Sequence, residues 1–171
     1  MKKICAIIIF CFVVTNVFSQ QNSSVVNQYP KILGYISVVH PIVTCYTDGD
    51  THWNFSDSYT VGFPMGVNIL KSKTFGISAE ITPFINACNG YSKVSNVLFH
   101  PGVIWRFPHG LSIYNRLAFE TQGRYGFSAS LSKVIVKSKF NSYFISIPVP
   151  VRFGNNQLPS IGVSFQVGMT F

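Results

Sequence analysis

"SIGVSFQVGMTF", residues 160–171, closes the chain. Ile161, Val163, Phe165, Val167, Met169 and Phe171 point one way, and Gly162, Ser164, Gln166, Gly168 and Thr170 point the other. A period of two, with one apolar face and one small or polar face, marks a β-strand. In a water-soluble fold the apolar face would meet a core. The rest of the chain decides what it meets here.

The opposite end, "MKKICAIIIFCFVVTNVFSQ" (residues 1–20), sets Lys2 and Lys3 before an apolar stretch from Ile4 to Val14. Val17 and Ser19 then stand at the minus-three and minus-one positions of a cleavage site. This is the layout of a secretory signal peptide, and the apolar stretch is too short to span a bilayer as a helix. Cys5 and Cys11 lack the small preceding residue that a lipobox requires. Residues 1–19 are therefore predicted to be removed on export, leaving residues 20–171 as one domain. Residues 20–30 form a polar leader ahead of the first strand.

Composition narrows the choice. Without Lys2 and Lys3 the formal charge falls from +8 to about +6. An exported chain with no basic run is a poor match for nucleic acid. At 47% hydrophobic and 11% charged it is greasier than ordinary globular domains, in which about a quarter of residues are charged. No stretch after residue 19 has the length and hydrophobicity of a transmembrane helix. The apolar residues are instead spread into alternation, and apart from helices only closed barrels satisfy every backbone polar group in lipid.

Turn residues divide the chain into eight predicted strands, at about 31–44, 59–70, 74–87, 95–107, 110–121, 125–137, 140–153 and 160–171. The connections "CYTDGDTHWNFSDS", "CNGYSK", "TQGRY" and "GNNQLP" are longer or more polar than "KSK", "PHG" and "KSKF". Short turns on one side and longer loops on the other are the habit of outer-membrane barrels, whose termini lie on the periplasmic, short-turn side. An even strand count lets the last strand meet the first, so no edge stays exposed. The predicted class is all-β, an eight-stranded antiparallel up-and-down transmembrane β-barrel.

The signal peptide, eight strands and terminal aromatic resemble a small outer-membrane β-barrel of the OmpA and OmpX size class. The "FSQ" cleavage site and the run "VGFPMGVNILKSKTFGISAEITPF" resemble the outer-membrane barrels of Bacteroidetes. The resemblance implies that Phe171, ending "VSFQVGMTF", is the signal read by the barrel-assembly machinery. It also implies an integral, monomeric protein contacting outer-membrane lipid and lipopolysaccharide. It carries over no catalytic residue and no cofactor.

The faces mostly agree. Val61, Phe63, Met65, Val67 and Ile69 share the outward face of the second strand, and Tyr143, Ile145, Ile147, Val149 and Val151 that of the seventh. Val97, Phe99, Val103, Trp105 and Phe107 do so on the fourth. Lys133 breaks the rule by falling in register with Phe127 and Leu131, and a bulge would restore it. Pro148 and Pro150 each remove a ladder donor from a predicted strand. Tyr46, Trp53, Phe55, Tyr59, Tyr91 and Tyr125 are expected near the loop-side interface, and Phe75, Trp105, Phe107, Phe140 and Phe171 near the turn side. By alternation Glu80, Arg106, Arg116, Glu120 and Arg152 point into the lumen. That placement argues against a soluble lipocalin-like barrel, which is polar outside and apolar within. An eight-stranded lumen is narrow enough to be filled by side chains. The five charges are expected to pair there and block flow.

Chemistry is sparse. His40, His52, His100 and His109 are scattered, with no spacing that forces a metal site. His100 and Glu80 are the inward candidates for a Ser/His/acid constellation, with Ser78 or Ser95 nearby in sequence. Asp48, Asp50 and Asp57 in the first loop read as a calcium loop or as a plain turn. Lys71, Lys73, Lys137 and Lys139 at two short turns snorkel toward water and lipid phosphates. Cys45 and Cys88 have a strand between them, which places them about 10 Å apart as partly buried thiols. The leading function is a non-enzymatic structural or surface-interaction barrel working through its loops. The alternatives are a component of an envelope transport or secretion assembly and an outer-leaflet lipid-modifying enzyme.

Overall fold

A computed structural model describes residues 29–56 and 58–171, so the predicted signal peptide, most of the leader and Asp57 lie outside the described residues. The strands are β1 (Lys31–Tyr46), β2 (Thr51–Trp53), β3 (Tyr59–Gly62), β4 (Met65–Leu70), β5 (Phe75–Cys88), β6 (Tyr91–Arg106), β7 (Leu111–Glu120), β8 (Tyr125–Lys137), β9 (Ser142–Phe153) and β10 (Ser160–Thr170). β3 and β4 form one stave, because Gly62 and Met65 keep the same register against β1 and β5. The break between them falls at Pro64, which has no N–H, and its carbonyl still accepts from Ser37 N at 2.9 Å. The hairpin strand β2 pairs only with β1.

Neighbouring staves are antiparallel in chain order, and β10 pairs with β1 from Tyr35–Thr170 to Tyr46–Ser160. The eight staves thus close into an up-and-down barrel, and none of them is left as an edge among the described residues. Phe171 completes the closure. It exchanges both backbone hydrogen bonds with Gly34, at 2.9 and 3.0 Å, and its ring lies where a Cβ on Gly34 would stand.

The barrel is inside-out relative to a soluble one. On β7, Leu117 is 57% exposed, Ala118 fully buried and Phe119 49% exposed. The same alternation turns Met65, Ile81, Phe99 and Ile147 outward, while Ser128, Ser130, Ser146 and Gln166 are buried in the lumen. Trp53, Phe55, Tyr91 and Tyr125 are exposed near the loop side, and Phe75, Trp105, Phe107 and Phe140 near the turn side. Tyr46 departs from the expected belt: it lies opposite buried Ser160 and lines a lumen cavity.

Three registers shift at bulges. The extra residues are Ile42 on β1, Ser95 on β6 and Ile135 on β8. The β8 bulge follows Lys133 and so does not turn it inward. Lys133 stays outside and reaches past the barrel end, where Nζ donates to His109 O at 2.7 Å. Pro148 and Pro150 remain within β9.

One loop is shorter than expected. The segment taken as the loop "CNGYSK" is a two-residue turn, with φ of 50° at Asn89 and 79° at Gly90. Positive φ at both central positions marks the Asn-Gly hairpin turn, so pairing continues to Cys88–Tyr91.

Candidate functional site

The lumen joins four of its charged groups, Glu80, Arg116, Glu120 and Arg152, at and just above a waist. Glu80 rises from β5 with both oxygens engaged. Its Oε2 accepts from Arg116 Nη1 at 3.0 Å and from the Tyr35 hydroxyl at 2.7 Å. Its Oε1 faces His100 Nδ1 at 3.0 Å and accepts from Thr82 Oγ1 at 3.2 Å. Arg116 spends its remaining donors on Ser78 Oγ and the Tyr35 oxygen, at 3.0–3.2 Å. Its guanidinium also lies 4.3 Å from the centre of the Tyr114 ring. Such density needs small neighbours. A Cβ at Gly102 would stand 2.6 Å from Arg116 Cγ, and one at Gly66 would stand 2.5 Å from the Tyr35 hydroxyl.

A second pair sits toward the loop side. Arg152 Nε donates to Glu120 Oε1 at 2.8 Å. Its Nη1 donates to the Phe127 and Val151 carbonyls and to Ser128 Oγ, at 3.0–3.2 Å. His100 joins the pairs, because its Nε2 lies 3.3 Å from Arg152 Nη2 and 3.2 Å from Ser128 Oγ. Guanidinium N–H groups only donate, so Nε2 must accept, and Nδ1 then carries the proton given to Glu80. A neutral imidazole thus bridges two balanced ion pairs. Balance matters, since an unpaired ion at such burial carries a large desolvation cost.

The waist divides the lumen. A cavity of about 390 Å³ opens on the loop side, lined by Glu120, Arg152, Pro148 and Pro150 among others. A second, of about 510 Å³, opens on the turn side. Between them, among Tyr35, Tyr114, Arg116, Phe144 and Gln166, only about 10 Å³ remains.

Of the five residues expected to share one network, Glu80, Arg116, Glu120 and Arg152 are brought together. Arg106 is not: it lines the turn-side cavity. Sequence reasoning missed Tyr35 and Ser128, whose hydroxyls complete the network, and Arg124, which donates to Leu158 O and Ser160 Oγ at the loop-side rim. Inward alternation of Ser128 was readable; its place opposite His100 was not.

The remaining candidates do not converge. Ser78 serves Arg116, and Ser95 donates to Phe84 O at its bulge, so neither reaches His100. His40 pairs with the Tyr59 hydroxyl at 2.6 Å, and Phe55 stacks on Tyr59. Asp48 Oδ1 accepts from Asp50 N at 3.1 Å, the geometry of a plain Asx turn. No group of three metal-ligating side chains occurs among the described residues. No disulfide joins Cys45 to Cys88, and both are exposed rather than partly buried.

No protein-family model matches the sequence, and no curated protein does. Among solved structures it is similar to a barrel from "De novo design of transmembrane beta-barrels", at 15% identity over 84% of this chain and 97% of that one, with a TM-score of 0.45. For the de novo designed TMB2.3, solved by NMR in solution, the values are 13%, 85%, 97% and 0.47. For Ail, the attachment invasion locus protein of Yersinia pestis, in complex with the heparin analogue sucrose octasulfate, they are 12%, 82%, 99% and 0.42.

Proposed function

We propose that this protein is a small integral outer-membrane barrel with a closed lumen, acting as a structural or surface-interaction element through its loop-side end. The carrying observation is the inverted wall: apolar side chains stand exposed around the outside while the buried charges pair within. Water would penalise that exterior, and hydrocarbon would not. Under this reading the termini and short turns face the periplasm, in keeping with the predicted signal peptide, and the barrel is of the Bacteroidetes outer-membrane type. The loops then meet lipopolysaccharide or another surface partner, and the barrel works as a monomer. The assembly machinery reads Phe171, whose seat over Gly34 fixes the closing pair.

Two measurements test this. Unboiled protein from an outer-membrane fraction should migrate differently from boiled protein on electrophoresis. The purified barrel should show no steady conductance in a planar bilayer, because the waist is filled. Recovery in the soluble fraction with no mobility shift would overturn the architecture, and stable ion-selective channels would overturn the closed lumen.

One observation favours a second reading, a lipid-modifying enzyme. Ser128 Oγ, His100 and Glu80 form a hydroxyl–imidazole–carboxylate relay at 3.2 and 3.0 Å, the order needed for an activated nucleophile. Against it, Arg152 also occupies His100 Nε2, and all three residues are buried. Hydrolysis of an outer-leaflet lipid that survives heating and disappears in both Ser128→Ala and His100→Ala would establish this reading. Absence of turnover would end it.

A further inference from the structure

The chain's charges are divided by height. Lys31, Lys71, Lys73, Arg106, Lys133, Lys137 and Lys139 all stand at or near the turn-side rim. Among the described residues no carboxylate side chain joins them, since Asp48 and Asp50 lie in the first loop and Glu80 and Glu120 are taken by Arg116 and Arg152; the one acid at this end is the α-carboxylate of Phe171, a residue that lines the same cavity. Snorkelling accounts for cations on the outward face of the wall, where Lys133 stands. It does not by itself account for cations that line a cavity. The turn-side cavity of about 510 Å³ is lined by Lys31, Arg106, Lys137 and Lys139, together with Ser112 and Ser142. Arg106 projects into it from the inward face of β6, opposite Ser112.

Asn68 supplies an independent sign. It is 2% exposed, lines the same cavity, and its Oδ1 has no hydrogen-bond partner. Turned by 180°, the same amide would offer N–H donors at that point instead. A buried polar atom left without a partner is costly, so a ligand group that meets it is favoured.

We infer that the turn-side mouth is a binding site for a phosphate ester, with the phosphate held by Arg106 and the flanking lysines and a neighbouring polar group meeting Asn68. The guanidinium fork suits phosphate oxygens, and the lysine ammoniums add point charges around it. The waist above makes the cavity a dead end, so the ligand binds and does not pass. A soluble phosphate ester and a lipid headgroup bent over the rim share this chemistry.

Two arms separate these sources. In the first, the purified barrel in nonionic detergent at low salt is titrated calorimetrically with glycerol 3-phosphate. Saturable binding is expected, weakened about tenfold or more by Arg106→Gln, the scale of one hydrogen bond to a charged group. Lys71→Gln/Lys73→Gln, outside the cavity, should change it by no more than about twofold, as a screened surface charge does. In the second arm, barrels taken from phosphatidylglycerol or phosphatidylcholine nanodiscs are examined by native mass spectrometry for retained lipid. Retention of phosphatidylglycerol by the wild type but not by Arg106→Gln, without binding in the first arm, assigns the site to a lipid headgroup. Heat-dependent mobility checks folding of each variant, and Lys137→Gln/Lys139→Gln replaces Arg106→Gln if that variant fails to fold. The inference is overturned if neither arm shows saturable binding, or if the Lys71/Lys73 variant loses as much as Arg106→Gln.

Discussion

Two parts of the wall are built differently. Between β5 and β6 the ladder runs from Phe75–Trp105 to Cys88–Tyr91 with one bulge. Between β9 and β10 it stops at Ser146–Gln166 and resumes only at Val151–Ile161. The cause is chemical. Pro148 and Pro150 have no N–H, and because the β8 ladder passes them unbroken, the missing donors face β10. An unmatched backbone carbonyl facing lipid costs several kcal/mol, but one lining a watered cavity is tolerated. Pro148, Pro150, Gly162 and Ser164 all line the loop-side cavity. The difference teaches where such a barrel can give up backbone bonds: beside a cavity of its own lumen.

The charge network ties β1 to β5–β9 and leaves β10 out, and breaking it should have the largest effect. Glu80→Ala strands Arg116 and removes the proton acceptor of His100, so folding stability should fall by about 3–5 kcal/mol, the range for removing one partner of a buried pair. Denaturant titration of the folded, heat-modifiable fraction in lipid vesicles reads this. The Glu80→Ala/Arg116→Leu double variant should lose less than the two single variants added together, because each single change leaves an orphan that the double change removes. Additive losses would mean that the pair is not the unit holding the intact wall.

Closure at the opposite wall depends on Phe171. Deleting it removes the bond exchange with Gly34 and the ring over that glycine. Burial of one large apolar side chain is worth about 1–3 kcal/mol and each of the two hydrogen bonds about 0.5–1.5 kcal/mol, so purified, refolded protein should lose no more than about 6 kcal/mol. If the assembly machinery reads the residue, inserted protein in cells should fall far more than for Val163→Ala on the same strand. Equal insertion of the two variants would reduce Phe171 to a packing residue.

Much of this wall was legible in advance, for a physical reason. Side-chain period two survives any tertiary arrangement, so the strands and the inward set of Glu80, Arg116, Glu120 and Arg152 could be read locally. What could not be read is stagger. Whether Glu80 meets Arg116 or Arg106 depends on how far each stave slides past the next, and that slide is altered by bulges at Ile42, Ser95 and Ile135, whose positions carry no local mark. For the same reason Ser78 and Ser95 looked near to His100 in sequence while Ser128 became its neighbour. The Asn89–Gly90 turn is a different case. The Asn-Gly pair is itself the local signal of a two-residue hairpin turn, and the polar residues that follow it, Ser92 and Lys93, are strand residues past the turn.

The smallest expected effect bears most directly on the contrast between the walls. Pro148→Ala returns a backbone N–H to β9 on the side facing β10, opposite Ser164. If the ladder gap is a matter of missing donors alone, a new bond forms and stability rises by about 0.5–1.5 kcal/mol, the net worth of one hydrogen bond. Amide exchange in native protein gives a second measure. Gly162 and Ser164 lie beside the loop-side cavity and lack a continuous ladder with β9, so their amides should exchange faster than those of Glu80 and Thr82 on β5. In Pro148→Ala the Ser164 amide should slow toward the β5 values. The inward proline ring also fills part of the cavity wall, and its loss opposes the gain. A variant that is less stable, with Ser164 exchange unchanged, would show that ring packing rather than the absent donor sets the spacing of β9 and β10. The two walls would then differ in side-chain volume and not in hydrogen bonding.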